Sequence, residues 1–294
     1  GVFSGKTRRI ATQQRVQSAV RSMAVNPQTG TVAVFLEVFG QGQFGSHLVP
    51  SLIMIWPSGH MQEGEEPLKL SIDSGPRGVA PDALLPTLVS STAEAPVTLL
   101  GRVCGGKVFC WRLNVACAQV VSQTLVCESG GLVAVSGGGR WLAAVSVAQD
   151  GHGSSLEVWF FVGKVPKRLT SLDKRPHCMA IVETSDGSGS GQLAIAEEPL
   201  GGQLASPIEV LRVQTDGSTS STCRVRLESL CRTISFLHGS SDAFVSGHSD
   251  GAVIVVNIHD NQLRMSHDDV AVGSVAASCD HSCIVTTASS CLRV

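Results

Sequence analysis

Along this chain the hydrophobic positions fall in short runs of 4–8 residues, continuous or alternating with polar ones, separated by Gly, Ser, Pro, Asp and Asn. Alternation with period two marks a strand with one buried face, and turn formers between such runs mark many short strands. Only residues 7–21, TRRIATQQRVQSAVR, carry a helix-like pattern. The pattern predicts an all-β protein.

The runs repeat. LIMIW ends at Trp56, KVFCW at Trp111, and LEVWF contains Trp159; IEVLRV with Leu211 and AVIVVNI with Val256 are weaker copies. A run precedes each (TVAVFLEV, VTLLGRV, WLAAVSVA, QLAIAEE, AFVSG) and another precedes that (SAVRSMAV, PTLVSS, LVAVSG, HCMAIVE, RTISFL). A fourth follows: LKLSI, AQVVSQ, KRLTSL, CRVRL, QLRMS. The unit is four strands every 45–55 residues, and it resembles the WD-repeat β-propeller family, whose repeats of about 40–45 residues each make a four-stranded blade. The resemblance covers nearly the whole chain. It implies one propeller domain over residues 1–294 with antiparallel four-stranded blades. The repeats run at about 18–72, 85–123, 131–171, 177–227 and 231–267. A sixth, from 272, stops at Val294 and is completed by a strand at 8–13 within residues 1–13. Six blades are expected, seven if the chain is a fragment. Trp56, Trp111, Trp159, Leu211 and Val256 take equivalent positions and are expected to pack between adjacent blades. The family's Trp-Asp pair is eroded, with Asn257 as the nearest substitute for the Asp, and no Gly-His precedes a first strand. Cohesion is therefore expected mainly from apolar packing.

GHSDG, residues 247–251, fits the G-x-S-x-G elbow of serine hydrolases. That elbow needs a helix after the serine. AVIVVNI follows instead, β-branched and without a helical period. Asp250-Gly251 between two β-runs is a hairpin turn, because glycine accepts positive φ without steric cost. Ser249 loses the catalytic reading. GKT at 5–7 lacks the rest of a phosphate loop, and Cys279, His281 and Cys283 read as cysteines flanking a turn and not as a zinc site. No cofactor or metal is expected.

Composition narrows the partners. The 294 residues are 43% hydrophobic and 16% charged, with net charge −2. That is a globular chain with no basic field for nucleic acid; the cluster Lys6, Arg8 and Arg9 reads as a solvated arm. The longest apolar region, GGLVAVSGGGRWLAAVSVA, is broken by glycines and Arg140 before the ~20 residues of a membrane span. Ten dispersed cysteines read as buried thiols of an intracellular protein. Links between second and third strands are long in the first repeat (39–51) and the fourth (198–207). Such links emerge on one propeller face, and Phe39, Phe44, Leu48 and Leu200 supply apolar anchors there for other protein subunits. The expected function is a non-catalytic interaction scaffold or adaptor in a multiprotein complex, with no small-molecule substrate. The alternative is a propeller hydrolase with a channel-centred acid/base or metal site, which the innermost runs disfavour because they carry almost no Asp, Glu or His.

Overall fold

The computed structural model describes residues 17–25, 32–39, 51–56, 68–72, 81–89, 97–103, 107–114, 119–128, 132–137, 139–147, 154–162, 165–199, 207–237, 240–260, 263–267, 270–277, 284–288 and 291–293. Every regular element among them is a strand. The first sheet holds β1 (Gln17–Val25), β2 (Val32–Phe39), β3 (Ser51–Trp56) and β4 (Leu68–Ile72). The second holds β5 (Pro81–Val89), β6 (Val97–Val103), β7 (Lys107–Asn114) and β8 (Gln119–Glu128). The third holds β9 (Val133–Val135), β10 (Trp141–Val147), β11 (Ser154–Val162) and β12 (Val165–Leu172). β13 (Pro176–Glu183), β14 (Gly191–Glu197), β15 (Ile208–Val213) and β16 (Thr219–Val225) form the fourth. β17 (Cys231–Phe236), β18 (Ala243–His248), β19 (Ala252–Asn257) and β20 (Leu263–His267) form the fifth. β21 (Ser274–Ala277), β22 (Ile284–Ala288) and β23 (Cys291–Arg293) form a three-stranded sixth.

Each sheet is an antiparallel meander in chain order. The first strands lie side by side, β1 on β5, β5 on β9, β9 on β13, β13 on β17 and β17 on β21. This is the blade succession of a propeller, with one strand of each sheet around a common axis. The strand at 8–13 proposed to close the ring lies outside the described residues, and the blade count goes with it. Residues 17–21 belong to β1, where Val20 pairs with Leu36 of β2, so the helical pattern there is overridden by pairing between strands; residues 7–16 lie outside the described set.

The period-two pattern sends alternate side chains to the two neighbouring sheets. On β19, Ala252, Ile254 and Val256, together with Phe244 of β18, pack against Val210 and Cys223 of the fourth sheet. Val253 and Val255 point the other way, onto Val275 and Ile284 of the sixth and Val272 on the link that leads into it. Leu211 and Val213 of β15 pack on Trp141, Leu156 and Val158 of the third sheet. Trp159 of β11 packs on Val108, Cys110 and Val126 of the second. Leu211, Val256 and Trp159 thus each face the preceding sheet. Burying side chains of this size stabilises by roughly 1.5–3 kcal/mol each, so the seams between sheets form the core.

The third-to-fourth seam turns on Trp141, which is fully buried with its ring 4.8 Å from that of Phe160. A Cβ on Gly191 would come within 2.8 Å of that indole, so only glycine lets β14 start there. Gly217, at φ 90°, turns β15 into β16 directly over the Leu169 carbonyl of β12.

Candidate functional site

In a four-stranded meander the link between second and third strands shares one face with the link from one sheet to the next. Around the fourth and fifth sheets that face is built from two contrasting links.

In the fifth sheet the β18–β19 link is three residues, Ser249–Gly251. Gly251 has φ 93°, and its amide donates to the His248 carbonyl at 3.2 Å. The Asp250 carboxylate accepts from the Ala252 amide at 3.0 Å, which closes the turn. Burial pushes the Asp250 carboxyl up, but that amide and the Ser229 side chain more than offset it, and its pKa lies below the usual carboxylate value. Ser249 is exposed and its amide donates to the Leu230 carbonyl at 2.9 Å. β19 follows the serine where a hydrolase elbow requires a helix.

His248 is the centre of this turn, a role the sequence reading missed. Its side chain is fully buried. Nδ1 lies 3.4 Å from the Ser229 carbonyl and must donate to it, which leaves Nε2 to accept from the Ser246 hydroxyl at 2.9 Å. That hydroxyl also lies 3.4 Å from the Ile254 carbonyl of β19. Burial lowers the His248 pKa, against smaller upward pulls from the Ser229 carbonyl and the Asp250 charge, so the ring is held neutral. The expectation of cohesion by apolar packing is therefore incomplete: a buried polar staple ties β18, β19 and the entry to β17 together. Its signal is a histidine ending the second strand, where the family pattern directs attention to a Gly-His before the first. Gly247 completes the unit, since a Cβ there would come within 2.5 Å of Val272 Cγ1 and 2.9 Å of Thr233 Cγ2.

In the fourth sheet the corresponding link spans 198–207 and is held at its base by charge. Lys174, on the link from β12 to β13, places Nζ 3.2 Å from Glu197 at the end of β14 and 2.9 Å from Glu209 near the start of β15. The Glu209 hydrogen bond is the main influence raising the Lys174 pKa, and the ammonium in turn offsets the burial of the Glu209 carboxyl and lowers its pKa. The Glu198 amide also donates to the Arg175 carbonyl at 3.1 Å.

Of the anchors expected on this face, Phe39 ends β2, while Phe44, Leu48 and Leu200 lie outside the described residues. Trp56 ends β3 and Trp111 lies within β7, with their backbones alone described. Residues 5–7 and 278–283, considered for phosphate and zinc, also lie outside the described set. Among the described residues no group of three or more His, Cys, Asp or Glu is placed to hold a metal, and no helix is long and apolar enough to cross a membrane.

No protein-family model matches the chain, and no curated protein matches it. Solved structures do. That of U3-55K superposes with a TM-score of 0.55 at 15% identity over 95% of this chain and 79% of its own. The WD40 repeats of RRP9 superpose with a TM-score of 0.54 at 14% identity over 95% of this chain and 78% of theirs.

The fold is WD40-like.

In all, 1036 solved chains match, so the likeness assigns an architecture shared by many proteins and leaves function to the site. The polar staple of the fifth sheet stands at the end of its second strand, where His248 reaches the incoming link through the Ser229 carbonyl.

Proposed function

We propose that this WD40-like propeller is an interaction scaffold that binds other protein subunits on the face carrying the β2–β3 and β14–β15 links. The observation that carries the reading is the Lys174 clamp. Two carboxylates from consecutive strands, Glu197 at the end of β14 and Glu209 near the start of β15, converge on one ammonium where the 198–207 link begins and ends. Long links between strands are where recognition is commonly carried, and here the strand ends that the link joins are fixed. Phe39, Phe44, Leu48 and Leu200 are the proposed apolar anchors, and association operates inside the cell. Supporting that location, Cys110, Cys127, Cys178, Cys223 and Cys231 are all buried thiols.

The test compares tagged wild-type protein with Phe44→Asp and Leu200→Asp in quantitative affinity purification from the native cell. Proteins recovered by wild type and depleted at least about fivefold by both variants, at unchanged melting temperature, support the reading; a fivefold loss corresponds to about 1 kcal/mol. Equal recovery by all three overturns it.

A further inference from the structure

Two buried thiols face each other across the fourth-to-fifth seam. Cys178, third residue of β13, and Cys231, first residue of β17, have their sulfurs 3.5 Å apart. They are 6% and 2% exposed. The Cys178 thiol also lies 3.7 Å from the Cys231 carbonyl, so its side chain is already directed across the seam. A disulfide needs an S–S distance of about 2.05 Å, so the sulfurs must close by about 1.5 Å. β13 and β17 are the first strands of adjacent sheets and lie against each other, and both cysteines belong to the buried apolar cluster between those sheets. The positions are 53 residues apart in sequence.

We infer that Cys178 and Cys231 form a redox-operated lock, a reversible disulfide that ties the fourth blade to the fifth at the axis-lining strands. Small peroxides fit as oxidant, because the exposure of the pair leaves little room for a bulky disulfide reagent. The Cys178 sulfur, the more exposed, attacks one peroxide oxygen; the O–O bond breaks, water leaves, and a sulfenic acid remains. The Cys231 sulfur then attacks the Cys178 sulfur, the S–O bond breaks, and a second water leaves. Two thiols and one hydrogen peroxide give one disulfide and two waters. A dithiol reductant reverses the bond. The hydrogen bond to Cys178 and burial push the Cys231 thiol well above its ordinary value, so the resolving step is slow at neutral pH and quickens as pH rises.

The experiment treats the whole chain with hydrogen peroxide, alkylates the remaining thiols under denaturing conditions, and maps linked peptides by mass spectrometry. The expected product joins Cys178 to Cys231 and raises Tm by about 5–10 °C, as closure of a loop of this length implies; dithiothreitol abolishes both. Cys178→Ser and Cys231→Ser each remove the rise, and Cys127→Ser keeps it. Recovery of both cysteines fully alkylated after peroxide treatment, linkage of either to another cysteine, or a rise that persists in Cys178→Ser overturns the proposal. The peptide map is read on wild-type protein and stands even if a serine variant fails to fold.

Discussion

The fourth and fifth sheets solve the same problem in opposite ways. Each must return its chain from second to third strand on one face. The fifth does it in three residues with a positive φ, an aspartate cap and a buried neutral histidine. The fourth uses a link at 198–207 and pins the ends with one lysine and two glutamates. The first rests on a buried, uncharged histidine, and is insensitive to salt and intolerant of change. The second is half-exposed, screened by ions and tolerant of what lies between its ends. A short turn can use the first; strand ends joined by a longer link need the second.

The contrast is broken hardest at Gly247. Gly247→Ala places a methyl against Val272 and Thr233, two side chains branched at Cβ and closely packed, and we expect a loss of about 2–3 kcal/mol in urea denaturation.

Next is His248. His248→Phe removes the staple and leaves the Ser229 carbonyl and Ser246 hydroxyl short of a partner, at a cost of about 1–2 kcal/mol. The same residue sets a pH window. Its folded pKa lies below the unfolded value of about 6.5, so below that pH the unfolded chain takes up a proton that the folded one resists. Stability therefore falls as pH drops through 6, and His248→Gln flattens that slope. Asp250 acts lower: its folded pKa is depressed, so its contribution is present at neutral pH and is lost only as pH falls below about 4. Thermal melts at pH 7, 6, 5, 4 and 3 separate the two.

The smallest effect is expected at Lys174. Lys174→Met breaks two partly exposed ion pairs, and stability should fall by no more than about 1 kcal/mol, the difference shrinking in 0.5 M salt. A loss at Lys174 as large as that at Gly247, unaffected by salt, would erase the distinction between the two links.

The strands were legible because their signals are local. Alternation and turn residues fix a strand within eight residues, and Asp250-Gly251 announces its hairpin without reference to the rest of the molecule. The seams were not. Cys178 and Cys231 read as two unrelated apolar positions until adjacent sheets bring their sulfurs to 3.5 Å. Trp141 drew no notice because it opens a second strand, away from the recurring aromatic position; only the approach of Gly191 from the next sheet shows why it is there. His248 was seen as a letter in an elbow motif, and its role depends on Ser229, 19 residues back. Sequence spacing carries the repeat; the distance between repeats is set by tertiary packing.

Trp141 also gives the molecule an internal lamp. Its indole is fully enclosed between the third and fourth sheets, so its emission is blue-shifted while that seam is shut and moves to the red once water enters. The Gly191 contact makes any parting of the two blades visible at the indole first. With Trp56, Trp111 and Trp159 replaced by phenylalanine, fluorescence from this one side chain, followed during denaturation beside circular dichroism of the whole chain, reports whether the blades separate one at a time or all together.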